Sequence, residues 1–510
     1  MVEAEEFDYV VVGAGSAGCV VAARLTEDPA VTVALVEAGG PDDHPAIGVP
    51  LGALELFGSE VDWAFTTAPQ PGLGGREVPW PRGRVHGGSS ATNFQMWVPG
   101  HAADFDDWHP SWSWERVHPY FRRAERWAGE REAGPEFGTT GPLWISPQRD
   151  PDPSSARFLD ACAEVGLKPV EGGLGGPDNT GCALTPVTQR EGVRWSSADA
   201  YLKPASGRPN LTVLSGRRAE RIMLDRDGRA TGVRLADRAV TARREVVLCA
   251  GAVGSPHLLL LSGIGPATEL RAAGVTPRVD LPGVGRGLHD HMILDLAVHA
   301  PAATRFLQDG REQYERDRTG PSSSNIGEAV AFLRADGGDG PPDVELIWSP
   351  MAFSDDGDPI PGYTVGVVLL RPRSRGRLTL VSADPAAPPV IDPGYLTEEA
   401  DVRAYVAGVR FAERVLGTAA LSGLHTGPVA PWPADDAVVD YVRERASTVF
   451  HPVGSCRMGD VVDERLRVRG VPGLRVVDAS VIPEAPRGHT HAHAVMIAER
   501  AAGLLREDRG

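Results

Sequence analysis

Lysine is almost absent from this sequence, and no cluster of other basic residues replaces it. Lys168 and Lys203 are the only lysines, arginine makes up the rest of the 51 basic residues, and the formal net charge is −17. A protein that binds nucleic acid needs clustered lysine and arginine side chains to neutralise phosphates. The charge balance therefore argues against a nucleic-acid partner, and we attribute the preference for arginine to codon bias.

Cysteine is scarce as well. The chain has five cysteines, an odd number, and no two of them form a C-x-x-C pair. Scattered cysteines of this kind are typical of buried thiols in a reducing compartment, whereas secreted disulfide frameworks and zinc sites use paired spacings. The pattern predicts a cytoplasmic protein without a metal site.

Long apolar runs and a basic leader are also missing. The uncharged stretch at residues 9–23 has 15 residues, fewer than the ~20 that a membrane-spanning helix needs. The first residues, MVEAEEF, are acidic and lack the basic region of a secretory signal. We expect neither a membrane span nor a signal peptide.

The most informative segment that is present covers residues 7–37. Residues 9–12 form an apolar run that predicts a buried strand, residues 16–25 predict a helix, and residues 31–36 predict a second strand that ends at Glu37. Strand, glycine-rich turn, helix, strand and acid, in this order, are typical of a βαβ unit that binds a dinucleotide.

Each residue of the turn has a physical role in such a unit. Gly13 allows the tight turn, Gly15 lets the backbone approach a pyrophosphate, and Gly18 lets helix and strand pack closely. The helix N-terminus faces the phosphates, and Glu37 can accept hydrogen bonds from the ribose. FAD and NAD share the ADP half, so this unit leaves both open. Its candidate cofactor-binding residues are Gly13, Gly15, Ser16, Gly18, Glu37 and Ala38.

The length of 510 residues favours two or more hydrophobic cores. Residues 246–250 and 474–478 predict further strands of the nucleotide-binding sheet, whereas residues 343–348, 364–370 and 377–381 predict an antiparallel or mixed sheet, followed by a helix at 404–416. We predict a nucleotide-binding domain at 1–300, with some segments near 150–195 contributed to a second domain at 301–440, and a return to the first domain at 441–510.

Five segments in order resemble the glucose–methanol–choline (GMC) oxidoreductases, a family of FAD-dependent alcohol oxidases and dehydrogenases. The resemblance runs from residue 7 to about residue 505. It rests on GAGSAG with Glu37, PRGRVHGGSSATN at 81–93, GAVGSPHLLLLSGIGP at 251–266, HPVGSCRMG at 451–459, and VVDASVIP at 476–483 with its histidine-rich tail. It implies an α/β fold, in which a Rossmann-type FAD-binding domain carries an inserted α+β substrate-binding domain built on a mostly antiparallel sheet.

The resemblance also implies the catalytic pair. The invariant histidine of the family corresponds to His451, and the second histidine or asparagine corresponds to His489. Oxidation of an alcohol removes a proton from oxygen and a hydride from carbon, which flavin N5 accepts, so the protein must supply a base. Histidine suits this role near neutral pH. We expect His451 to be the base and His489 its partner, although the two roles could be shared or reversed.

The resemblance transfers further cofactor contacts one position at a time. Some relatives attach FAD covalently to a histidine in the glycine-rich loop, and Thr92 stands at that position here, so we predict non-covalent FAD. The Asp290-His291 pair fits a family pattern, and a structural role in a helix or turn is at least as well supported for it as a catalytic one. The additional candidate cofactor-binding residues are Val85, Gly88, Asn93, Ala219, Asp478, Ala479 and Thr490.

Three alternatives stay open from the sequence. His489, His491 and His493 would share one face of a strand and could form a metal site. Some relatives are hydroxynitrile lyases, and an NAD-dependent dehydrogenase could share the βαβ unit alone. The expected partners are a small-molecule alcohol and oxygen or another electron acceptor. Only 6% of residues are aromatic and they form no evident cage for a quaternary ammonium group, so the alcohol is not identified.

Overall fold

Two seven-stranded sheets organise the computed structural model, which describes residues 5–129, 137–308, 310–354, 357–434 and 437–508. One sheet is mostly parallel and the other is antiparallel. A large cavity lies between the carboxyl ends of the parallel strands and one face of the antiparallel sheet. These two sheets therefore position nearly everything that faces the cavity.

The mostly parallel sheet collects strands from the beginning, middle and end of the chain. Its central strand, Glu5–Val12, pairs in parallel with strands on both sides, and its apolar residues are buried as the run of valines predicts. The spatial order is Leu211–Leu214, Val33–Val36, Glu5–Val12, Ala239–Leu248, Ala230–Leu235 and Ala219–Leu224, with Leu474–Val476 paired to Ala239–Leu248.

The antiparallel sheet is formed mainly by later segments of the chain. One of its faces packs against helices Pro153–Glu164 and Glu399–Leu416, and the other borders the cavity. Its spatial order is Gly427–Pro428, Met292–His299, Gly362–Leu369, Val344–Ser349, Ala329–Leu333 and Gly181–Leu184, with Ser447–Thr448 paired to Met292–His299. The division of the chain at residues 300 and 440 stays a prediction.

Smaller elements complete the fold. A three-stranded sheet contains Arg286–Leu288, Gly376–Thr379 and Val390–Asp392. Two-stranded pairs are Ile264–Gly265 with Val279–Asp280, Ala352–Phe353 with Pro359–Ile360, Phe65–Thr66 with Pro79–Trp80, Glu125–Trp127 with Leu143–Ile145, and Gln189–Arg190 with Val193–Arg194. The α-helices are Ser16–Leu25, Ala53–Leu56, Trp114–Ala124, Pro153–Glu164, Lys203–Ala205, Gly251–Leu261, Ala267–Ala272, Arg311–Asp317, Glu399–Leu416, Ala419–Ser422, Val438–Arg445 and Thr490–Glu507.

Two predicted boundaries shift for identifiable reasons. The second strand begins at Val33 rather than at residue 31, because the backbone N–H of Thr32 donates to the Asp8 carboxylate at 2.9 Å instead of joining the ladder. The apolar run at residues 255–261 predicts a helix, and the helix of the structure begins four residues earlier, at Gly251. The Asp478 carboxylate accepts a hydrogen bond from the backbone N–H of Gly251 at 2.9 Å, which satisfies one of the free donors of the first turn.

The last helix, Thr490–Glu507, packs on the first, Ser16–Leu25, through a buried carboxylate. Glu499 is inaccessible to solvent and accepts hydrogen bonds from Arg24 at 2.7 Å and from the Tyr201 hydroxyl at 2.8 Å, with Arg123 at 3.2 Å. Within the described residues, no helix combines the length and hydropathy that crossing a membrane requires. The cytoplasmic location stays a prediction.

We expect Glu499→Ala to lower the free energy of unfolding by about 3–5 kcal/mol, because it removes the buried carboxylate that Arg24, Arg123 and the Tyr201 hydroxyl share. Urea unfolding monitored by circular dichroism measures this change. Glu507→Ala is the matched control, since Glu507 pairs with Arg465 at an exposed position, and it should change stability by no more than about 0.5 kcal/mol. Equal effects of the two substitutions would contradict the structural importance of the buried carboxylate.

Candidate active site

The cavity has a volume of ≈ 560 Å³ and reaches from the glycine-rich turn to the antiparallel sheet. Nearly all of the predicted site residues line it. The exceptions are Gly18 and Val85, which are buried behind its wall. The predicted residues that line the cavity are Gly13, Gly15, Ser16, Glu37, Ala38, Gly88, Asn93, Ala219, His451, Asp478, Ala479, His489 and Thr490.

The three glycines of the turn have different surroundings. Gly13 adopts a φ of +98°, and a Cβ atom there would lie 2.6 Å from the carbonyl oxygen of Cys249. A Cβ on Gly18 would lie 1.7 Å from the carbonyl oxygen of Gly13, so this position holds the helix against the turn. At Gly15 the nearest atom would be 3.9 Å away, because the residue borders the cavity. The turn thus offers open backbone where a pyrophosphate would lie.

Glu37 does more than the sequence analysis assigned to it. One carboxylate oxygen accepts a hydrogen bond from the backbone N–H of Ala14 and the other from that of Gly39, both at 2.7 Å. Burial raises the pKa of Glu37, and these hydrogen bonds oppose the shift. The residue therefore fixes the glycine-rich turn as well as lining the predicted ribose site.

His451 and His489 meet in the cavity. Their ring centroids are 4.9 Å apart and their planes are nearly perpendicular, at 84°. The backbone around His451 is held from two sides: its N–H donates to the Asp290 carboxylate at 2.7 Å, and Arg82 donates to the carbonyl oxygen of Phe450 at 2.7 Å. Phe450 adopts a φ of +65°, so these hydrogen bonds stabilise an unusual backbone conformation.

A hydrogen-bond chain sets the tautomer of His451. The carbonyl oxygen of Leu370 can only accept, so the Nε2 atom of His291, 2.9 Å away, carries the proton. Burial lowers the pKa of His291 to about 3, so its ring is neutral and its Nδ1 atom is an acceptor. The Nδ1 atom of His451, 3.0 Å away, must then donate. It follows that Nε2 of neutral His451 carries the free lone pair.

His489 has a different partner. Its Nε2 atom lies 3.0 Å from a carboxylate oxygen of Glu345, which is only 1% exposed. A carboxylate accepts, so Nε2–H of His489 donates to it. The two histidines therefore differ in chemistry: a neutral histidine supports His451, whereas a carboxylate anchors His489.

The other two histidines of the tail have different surroundings from His489. Nδ1 of His491 lies 3.1 Å from the Ser16 hydroxyl, and His493 is buried between Phe105 and Phe121. The tail begins a helix instead of a strand, so the three side chains do not share one face. Among the described residues, no group of three or more histidine, cysteine, aspartate or glutamate side chains could hold a metal ion.

Comparison with known proteins decides the family. The models of the N- and C-terminal regions of the GMC oxidoreductases match residues 7–293 and 372–498, which together are more than half of the chain. The chain belongs to the GMC oxidoreductase family. This membership confirms the resemblance and the predicted fold class, and it makes the chain an FAD-dependent oxidoreductase.

Relatives and solved structures match over nearly the full length. A GMC-type oxidoreductase of Mycobacterium bovis is 46% identical and covers 98% of this chain and 99% of its own. The alcohol dehydrogenase [acceptor] of Pseudomonas putida is 37% identical and covers 98% and 95%. The formate oxidase of Aspergillus oryzae, whose structure was determined in a study of FAD modification, has a TM-score of 0.91 at 30% identity and covers 100% and 99%.

The residues of this GMC oxidoreductase fit FAD. The open backbone at Gly15 and the carboxylate of Glu37 suit the ADP half. Nε2 of His491 is buried and has no hydrogen-bond partner in the part of the chain that the structure describes. His491 borders the cavity, as does the first turn of the helix that begins at Thr490. A helix N-terminus stabilises negative charge nearby. The cavity thus offers donors and a positive dipole end where the flavin ring would lie.

The GMC fold brings three side chains to the cavity or to its histidines that were not predicted to act there: Glu345, Asp295 and His291. Glu345 is the one acidic residue of its strand, and Asp295 is the one acidic residue of its own strand. A carboxylate within a largely apolar strand is the feature of the sequence that could have indicated a functional role for Glu345 and Asp295. His291 was noticed within its motif but not assigned to the site, because its distance from His451 depends on the pairing of strands that are far apart in sequence.

We expect the FAD of this GMC oxidoreductase to be released by acid. Thr92 lines the cavity at the position where some relatives have the linking histidine, and a threonine hydroxyl does not form that bond. Precipitation with trichloroacetic acid should leave a colourless pellet and a yellow supernatant. A yellow pellet that survives washing would contradict non-covalent binding.

Proposed function

We propose that this protein oxidises the CH–OH group of an alcohol, with His451 as the general base and His489 as its partner. The observation that carries the proposal is the hydrogen-bond chain from Leu370 through His291 to His451, because it leaves the lone pair of His451 Nε2 free in the cavity. The alcohol dehydrogenase of Pseudomonas putida among the relatives supports this reaction class.

The proposed reaction begins with proton transfer from the substrate hydroxyl to Nε2 of His451. As the ring becomes positively charged, its Nδ1–H continues to donate to His291, so its orientation does not change. The second imidazole, His489, borders the same part of the cavity and limits where the substrate oxygen can lie, while Glu345 prevents the ring of His489 from rotating. FAD, when bound, supplies the acceptor for the hydride that leaves the carbinol carbon.

An aromatic wall next to His451 keeps this part of the cavity apolar. Phe57 lines the cavity and contacts Phe94 and Phe450 edge to face, with ring centroids 5.7 and 5.3 Å away. Burial, and secondarily the neighbouring His489 and His291, lower the pKa of His451 well below its ordinary value. The base is therefore neutral, and able to accept a proton, throughout the physiological range.

We expect His451→Ala to slow anaerobic reduction of the flavin by an alcohol about 10²–10⁴-fold, the usual contribution of a positioned general base. Stopped-flow absorbance near 450 nm measures the rate. His291→Ala retains the base but removes the acceptor that sets its tautomer, so its effect should be smaller. Unchanged reduction in His451→Ala would refute the assigned role.

The same experiment tests the lyase alternative, because a hydroxynitrile lyase would leave the flavin oxidised in the presence of any alcohol. A panel of alcohols, assayed in parallel for hydrogen peroxide and for dye reduction, distinguishes oxygen from another electron acceptor.

We expect the rate of flavin reduction to be constant from pH 8 down to below pH 6. A base works in its unprotonated form, and because the pKa of His451 is lowered, protonation begins only at more acidic pH. The measurement uses an alcohol without a titratable group, under anaerobic conditions, in buffers from pH 5 to 8. A midpoint at or above the ordinary histidine value of about 6.5 would contradict the proposed environment of the base.

A further inference from the structure

Asp295 places a carboxylate on the wall of the cavity. It lies on strand Met292–His299, whose side chains alternate between the two faces of the antiparallel sheet. Ile293 and Asp295 both border the cavity, and Asp295 is exposed there even though protein surrounds it closely. Its accessible surface therefore faces the cavity.

The residues beside Asp295 on the sheet are small or apolar. Asp295 pairs with Gly366 on the next strand, and Gly366 pairs in turn with Ile347. A Cβ atom on Gly366 would lie 3.2 Å from a carboxylate oxygen of Asp295, so the absence of a side chain there gives the carboxylate room. Apolar Ile293 and Met351 also line this part of the cavity.

Among the described residues, the Asp295 side chain has no hydrogen-bond or ion-pair partner. The two other carboxylates near the histidines are both satisfied: Asp290 accepts from Thr448, Tyr395 and His451, and Glu345 accepts from His489. Burial raises the pKa of Asp295 to about 6. A carboxylate that is closely surrounded by protein and lacks a partner loses part of its hydration free energy, and a ligand of opposite charge compensates for that loss.

We propose that Asp295 binds the ammonium group of the substrate, so that the preferred alcohols carry a protonated amine. The oxidation of such a substrate rests on the proposed function, whereas the binding of its ammonium group to Asp295 does not. A protonated amine with an N–H group suits a carboxylate better than a quaternary ammonium does, because it adds a charge-assisted hydrogen bond to the attraction.

The strand sets the distance between the two ends of such a substrate. Asp295 is four residues beyond His291, which at ~3.3 Å per residue is about 13 Å along the strand. His451 contacts His291 at one end of this stretch, and Asp295 lies at the other. A substrate that reaches both therefore needs a chain of several carbons, and the test below uses a chain of five.

A matched pair of alcohols tests the proposal on the FAD-loaded protein at pH 8. One is 5-(dimethylamino)pentan-1-ol, and the other is 6-methylheptan-1-ol, in which a CH group replaces the nitrogen. We expect Asp295→Asn to lower kcat/KM for the amine about 10- to 100-fold and to change that for the isostere less than about twofold, as expected for loss of one charged hydrogen bond. Asp358→Asn removes the same charge from an exposed position and should leave both values unchanged.

Binding is measured separately, through the perturbation of flavin absorbance by N,N-dimethylpentylamine, which cannot be oxidised as an alcohol. Its Kd should rise about 10- to 100-fold in Asp295→Asn. An unchanged Kd would overturn the proposal whatever the alcohols do. If neither alcohol reduces the flavin of the wild-type protein while the Kd still depends on Asp295, the proposed function fails and the ammonium site stands. If Asp295→Asn lowers kcat/KM equally for both alcohols, the carboxyl group recognises a feature other than the ammonium group, and the proposal is wrong.

Discussion

The carboxylate of Asp290 joins the parts of the chain on which the site depends. It accepts hydrogen bonds from the backbone of His451, from Thr448 and from Tyr395, and so holds three segments that are more than 50 residues apart. Together with the pairing of Ser447–Thr448 to the strand that begins at Met292, this anchor fixes the loop that carries His451. The position of the proposed base is thus a property of the junction between the two sheets.

The cofactor end of the site could be predicted from the sequence, because its determinants are local. The turn from Gly13 to Gly18 and the strand that ends before Glu37 lie within one βαβ unit, in which spacing and periodicity largely determine the structure. The exact start of helix Gly251–Leu261 was less predictable, since it depends on a carboxylate from a distant segment, Asp478.

The side of the cavity formed by the antiparallel sheet was much less predictable, because it depends on the register in which distant strands pair. Whether Asp295 reaches the cavity depends on which residues it faces across two strand pairings, with Gly366 and then Ile347, and a shift by one residue would move it to the opposite face. The neighbours of His291 and Glu345 are decided in the same way. The family resemblance located His451 and His489, but it did not indicate that one is supported by a neutral imidazole and the other by a carboxylate.

The packing of the last helix on the first has a consequence for biosynthesis. Arg24 leaves the ribosome early, yet its partner Glu499 is made almost at the end of translation, as are His489 and the helix that follows it. The glycine-rich turn therefore exists on the nascent chain long before the residues proposed to carry out the chemistry. An incomplete chain, released by premature termination, would lack these residues, and its first helix would lack the buried carboxylate of Glu499.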